Sequence, residues 1–288
     1  MNGGRANMTT PNPPAVAEVA VDVGAAMAAS MAVSPFILTI DKAIVEAAAG
    51  RTTLARGILS GVADIMRRPQ RALLANPAYW MVTGVYAATY TAANLIDTAG
   101  KRMDLGPAVH GSAKLVGTTA VNTSACIAKD VAFARMFGAS APGKAMPLAT
   151  IGLFGARDLL TIASAFTVPP LLASGLASTG MAAKRAEDAA QLISPVGMQV
   201  FCAPLHLLAL NLYNTPVASA VERAAAVMRT APQTTVAYMV RMAPAFGIGG
   251  VMNASLTSSG HEMVRDRYAG LSAVIDKAPP LVAAQTVG

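Results

Sequence analysis

Arg157 and Asp158 stand side by side in the apolar run GARDLLTIASAF, and Arg241 lies in a second run, YMVRMAPAFGIGG. Removed from water, a carboxylate is best met by a guanidinium and an ammonium by an acid. The three residues therefore have the chemistry to hold a small charged metabolite. An internal ion pair or a helix-packing anchor would use the same residue types. Other apolar runs carry Lys129 with Asp130, and His206. Adjacent residues do not share a helix face, so Lys129 is expected to point inward while Asp130 pairs with Arg135 or with another helix. His206 is of a type that titrates near neutrality, though a lone histidine in an apolar helix more often serves as a satisfied hydrogen-bonding residue. Gly247, Gly249 and Gly250 have no strand before them and no Lys-Ser/Thr after them, so they read as close helix packing rather than a phosphate loop. No HExxH, GxSxG or paired-carboxylate arrangement occurs, and His110 and His261 lie in polar stretches without evident partners. Neither enzymatic activity nor a metal or cofactor is expected.

The elements that must position these charges are apolar and long. Hydrophobic residues make up 54% of the 288 and charged residues 13%, about half the roughly 25% of a soluble domain. Too little polar surface remains for a compact body in water, and the bilayer is the expected solvent. The net charge of +7 is spread between apolar runs rather than along a stripe interleaved with aromatics. That excludes nucleic acid as a partner and fits basic loops beside a negative membrane surface. Cys126 and Cys202 both fall in apolar segments and form neither a zinc pattern nor a disulfide framework.

A span needs about 20 apolar residues. Six stretches qualify: 16–40, 78–96, 114–133, 148–173, 190–213 and 236–256. Several carry charge and are rich in Ala, Gly, Ser and Thr, which suits a bundle around a polar cavity. Tyr79 and Trp80 sit where a headgroup boundary would be. Two shorter segments read as amphipathic surface helices. In Thr53 to Arg68, Leu54, Ile58, Val62 and Ile65 share a face; Thr215-Pro216 opens the other. Between the first two spans, Lys42, Arg51, Arg56, Arg67, Arg68 and Arg71 outnumber Asp41, Glu46 and Asp64, so that loop should face the more negative compartment. The fold expected is all-α, with six transmembrane helices in three pseudo-repeated pairs.

An internal period supports the pairing. Pro35, Ser124 and Pro204 recur at spacings of 89 and 80 residues, and Arg157 and Arg241 lie 84 apart. The repeats are read as 15–100, 101–180 and 181–270, between a disordered lead at 1–14 and a tail at 271–288. With CAPLHLLALNLYN ahead of YMVRMAPAFGIGG, this pattern resembles the mitochondrial carrier family. The resemblance implies a mitochondrial membrane, the inner one by default with the outer left open, and cardiolipin at matrix-side helix ends. It also implies that Arg157, Asp158 and Arg241 line a cavity for an amino-acid-like solute or a carboxylate. Against the family's salt-bridge gate, Pro35 is followed by Ile37 and Ile40, Ser124 by Cys126 and Lys129, and Pro204 by His206 and Ala209. Only Lys129 keeps its expected type, so no such ring is expected to form. Asn253-Ala254 and Pro169-Pro170 likewise replace the residues that would close the opposite face. These losses favour a structural subunit or adaptor of a membrane complex over a divergent carrier of a small charged metabolite.

Overall fold

The structure, a computed structural model, describes residues 13–140 and 144–277. Most of the expected N-terminal lead and much of the C-terminal tail lie outside them. Among the described residues every regular element is helical: α1 (Ala15–Ala48), α2 (Leu54–Arg67), α3 (Pro77–Arg102), α4 (Pro107–Phe137), α5 (Leu148–Phe166), α6 (Val168–Ser178), α7 (Ala183–Gly197), α8 (Gln199–Asn214), α9 (Ala220–Ala243) and α10 (Val251–Lys277). Single π-helical turns occupy Gln70–Leu74 and Pro244–Gly250.

Local chemistry sets the boundaries. Asn76 accepts from the Ala78 amide at 3.0 Å, and Pro77 begins α3 where its missing N–H is harmless. Ser219 and Glu222 form a reciprocal capping box at the start of α9. That cap moves the helix start from Thr215-Pro216 to Ala220, and α9 then continues through Pro232 without a separate surface helix. Gly50, at φ +72, turns the chain from α1 into α2.

Six rods form a closed ring: α1, α3, α4, α5 with α6, α7 with α8, and α9 with α10. Each packs on the next, and α10 returns to α1. Small residues allow the approach. A Cβ on Gly260 would lie 2.5 Å from Val21, and one on Gly117 would lie 2.6 Å from Ile96. α2 lies outside the ring on α1, with Leu54 buried and Leu59 and Met66 turned outward.

Three rods are long and apolar enough to cross a bilayer: Ala15–Ala48, Ala183–Asn214 and Ala220–Leu271. A fourth is Leu148–Ser164 with Val168–Ser178, bent by 43°. The rods of α3 and α4 do not meet that measure, because threonines, asparagines and lysines interrupt their apolar faces. The six spans expected from sequence are thus reduced to three or four by length and composition. Outward-facing Leu148, Leu171, Leu192, Phe201, Val240 and Val251 form the apolar exterior that lipid requires.

Candidate functional site

Within one half of the ring, apolar packing surrounds a knot of charge. Val33, Ile37, Leu38 and Val45 of α1 join Tyr79 and Val82 of α3, Phe133 of α4, Phe154 of α5 and Leu210 and Tyr213 of α8 in one buried cluster. In the same half, five rods each deliver an ionic or polar group to a continuous network.

Asp41 of α1 binds Lys129 of α4 at 2.5 Å and Arg241 of α9 at 2.6 Å, one carboxylate oxygen to each. Lys129 also meets Asp130 at 2.9 Å, and Asp130 meets Arg157 of α5 at 2.7 Å. Arg157 pairs with its neighbour Asp158. Its other terminal nitrogen lies 3.3 Å from Nδ1 of His206 on α8. An arginine N–H can only donate, so Nδ1 accepts and the imidazole carries its hydrogen on Nε2. Aromatic faces complete the enclosure: the Arg241 guanidinium lies 4.7 Å from the Tyr238 ring centre, and His206 packs between Phe154 and Tyr238.

Three cations therefore face three carboxylates. Such balance is what low dielectric demands, since an unpaired buried charge costs several kcal/mol, roughly 3–5 when one partner of a pair is removed. Balance is not the same as satisfaction, however. Arg157 Nε, Arg241 Nε and the second oxygen of Asp158 are buried without a hydrogen-bond partner. Native proteins leave few such atoms. Here two donors and one acceptor are concentrated in one site, at residues only 4% exposed in the cases of Arg157 and Asp158.

The structure thus joins the three proposed solute-binding residues through Asp41, Lys129 and Asp130, and adds His206. Ser124 is exposed, and Pro35 and Pro204 lie inside α1 and α8 as helix residues near Asp41 and His206. Two expectations meet the structure here. An open chain of ion pairs, running from Arg241 through Asp41, Lys129 and Asp130 to Arg157 and Asp158, forms without the gate positions Ile37 and Ile40, because α1 continues past Ile40 and Asp41 supplies an acid. Of the two partners expected for Asp130, another helix rather than Arg135 supplies it, as Arg157 of α5; Asp130 is nevertheless buried beside Lys129 and shares its carboxylate with it, so the two do not point apart.

A second polar cluster joins the other ends of α1, α3 and α10. Asp22, fully buried, accepts from Thr98 at 2.7 Å and lies 2.9 Å from His261 Nε2. Asn94 and Asn253 exchange amide hydrogen bonds at 3.0 and 2.9 Å, and Asn94 also reaches Thr257 and the Asp22 carbonyl. The face expected to be open through loss of its closing residues is instead held by asparagines. His261 and His110, read as isolated, lie in helices beside Asp22 and Asp97. From Asp22 to Asp41 the rise along α1 is about 28 Å, close to the hydrocarbon thickness of a bilayer.

A closed ring of apolar rods with a charge-balanced, under-bonded centre and a polar clasp at the far end defines an all-helical membrane protein of transporter type. A family model described as "Probable citrulline exporter" matches residues 25–260, and the chain belongs to that family. Nothing matches among the curated proteins or the solved structures. No mitochondrial carrier family matches, so the resemblance drawn from the repeat pattern is overturned. The mitochondrial location and the matrix-side cardiolipin rested on that resemblance and lose their support with it. Of the two functions weighed from sequence, family membership favours transport over a purely structural subunit.

Proposed function

We propose that this protein exports citrulline, or a closely similar neutral amino acid, through the centre of the helix ring. The observation that carries this reading is the set of unpartnered buried atoms at Arg157, Arg241 and Asp158. An amino acid zwitterion brings one carboxylate, which accepts, and one ammonium, which donates. The two arginines suit the first and Asp158 the second. A solute with no net charge also leaves the three-against-three balance of the site undisturbed, whereas a cationic side chain would add a buried charge.

In this reading all six rods cross the bilayer as three consecutive pairs, in residues 15–100, 101–180 and 181–270. The polar faces of α3 and α4, too hydrophilic for lipid, turn toward the solute path. The central network closes one end of that path and the Asp22–Asn94–Asn253 clasp the other. Bound solute replaces partners within the network, which loosens that end as it satisfies the site.

The test uses purified protein in liposomes loaded with radiolabelled citrulline. Saturable efflux above protein-free vesicles is expected, lost in Arg157→Gln and competed by unlabelled citrulline. Efflux no faster than from protein-free vesicles, with correctly folded and inserted protein, would refute the proposal.

A further inference from the structure

The surface helix α2 shelters a cavity that the central site does not use. It measures about 390 Å³ and lies between the latter half of α1, α2 and the turn leading into α3. That volume falls within the range of small-ligand sites, roughly 300–1,000 Å³. Gly57 and Gly61 bring α2 down onto α1, because a Cβ at either would stand 2.9 Å from Ala43 or Thr39. The charged lining is Lys42, Arg68 and Arg71 against Asp64.

The neutral polar groups of this cavity are already engaged. Thr39 donates to the Pro35 carbonyl at 2.8 Å, and Asn76 caps α3 while its amide donates to the Ala72 carbonyl at 3.1 Å. The cations are not. Among the described residues Arg68 and Arg71 make no side-chain hydrogen bond or ion pair, and Lys42 is held only loosely, 3.7 Å from Glu46 and 5.6 Å from the Phe137 ring centre. The surroundings place the cavity at a membrane surface. Leu59 and Met66 of α2 are 71% and 80% exposed. Trp80, half exposed, donates from its indole to the Leu74 carbonyl at 2.8 Å. An amphipathic helix with outward apolar residues, arginines beside them and a tryptophan at the same level is built for the headgroup layer.

We propose that this cavity binds a phosphate-type anion, with the planar forks of Arg68 and Arg71 on its oxygens and Lys42 as the third charge. Arginine suits the task because its donors match phosphate oxygens two at a time. The phosphate belongs either to an anionic lipid headgroup or to the free anion, and the experiment separates these sources.

Delipidated full-length protein in a neutral detergent is followed by thermal unfolding. One arm titrates inorganic phosphate and another short-chain phosphatidylglycerol, with phosphatidylcholine as the zwitterionic control. Stabilisation by phosphate assigns the free anion; stabilisation by phosphatidylglycerol alone assigns the headgroup. In the arm that responds, Arg68→Ala/Arg71→Ala weakens apparent affinity on the order of thirtyfold, from the contribution of each cation near a phosphate surface. Arg56→Ala/Arg67→Ala, on the neighbouring helix α2 but outside the cavity lining, changes it little. If the first pair prevents folding, Arg71→Gln alone reads the effect at about fivefold. The proposal is overturned if neither anion stabilises the wild type or if phosphatidylcholine acts equally. It is also overturned if the cavity substitutions have no effect, or if both arginine pairs lose affinity alike.

Discussion

Asp158 and Asp130 touch the same guanidinium, yet the proposed function gives them opposite roles, and isosteric substitutions separate these. Asp130 uses both oxygens, one on Lys129 and one on Arg157. In Asp130→Asn, two buried cations lose their shared counter-charge, and the penalty is about 3–5 kcal/mol. Asp158 uses one oxygen, its second has no partner, and Arg157 retains Asp130 when it is changed. Asp158→Asn therefore removes one of the three acids but leaves Arg157 with Asp130 and a neutral amide acceptor, so the loss is smaller, about 1.5–3 kcal/mol. For stability the order is clear: Asp130→Asn lowers the melting temperature in detergent by roughly twice as much. For transport the order reverses among folded molecules. The ammonium of the solute loses its acceptor in Asp158→Asn, and an interaction of that size corresponds to a tenfold to hundredfold weaker apparent affinity, on the order of 1.5–3 kcal/mol. Proteoliposome efflux at graded citrulline concentrations reads this as a raised KM. Wild-type KM in Asp158→Asn would refute the reasoning and make Asp158 a packing partner of Arg157.

Three further outcomes follow from the packing. Lys129→Met and Asp41→Asn should each destabilise, while the double variant, which leaves two cations and two acids, should lose less than the sum by about 0.5–3 kcal/mol, read by thermal unfolding. Asn94→Leu strands the Asn253 amide and should cost about 1–3 kcal/mol; Asn94→Leu/Asn253→Leu should be milder than twice that, and equality with the sum would dissolve the clasp. Gly249→Ala places a Cβ 2.3 Å from the Tyr90 hydroxyl, which bonds the Ala245 carbonyl, and should lower the melting temperature. Gly247→Ala meets open space and should be neutral or stabilising, since alanine favours helix by up to about 1 kcal/mol.

The apolar period was legible because lipid-facing and core-facing residues are both hydrophobic, so every long run in the sequence became a helix. What the period could not show was where α1 stops. A span length of about 20 residues ends it near Ile40 and assigns Asp41 to a basic loop, yet α1 runs to Ala48 with Ile44 and Val45 buried behind it. The signal was available: Ile37, Ile40 and Ile44 continue the helical spacing across Asp41. Missing that continuation removed the one acid that joins Lys129 to Arg241, and with it the network. Asn94 and Asn253 were illegible for another reason. Asparagine pairs are recognised by distance in space, and these two are 159 positions apart. The repeat pattern misled at the level of ancestry because long apolar helices packed around a polar centre can space prolines and arginines similarly whatever the lineage.

On the proposed function, the arrangement of charge gives a sealed centre the means to bind a solute. A network in which every polar atom were satisfied would gain nothing from a solute and would lose its own pairs to admit one. A network with an excess charge would demand a counter-ion of fixed sign. This one is neutral in total and incomplete in hydrogen bonding, lacking one acceptor's worth of contact at the arginines and one donor's worth at Asp158. A neutral zwitterion supplies both without altering the total. The incompleteness is affordable only because the aromatic faces of Tyr238 and Phe133 lie against Arg241 and Lys129 and spread their charge. On this argument Tyr238→Leu, which removes the π face and leaves a smaller apolar side chain at a buried position, should destabilise the empty protein more than the citrulline-saturated one. A larger stabilisation by citrulline in Tyr238→Leu than in wild type is the expected result of thermal unfolding with and without solute. An equal stabilisation would show that the ring only fills space.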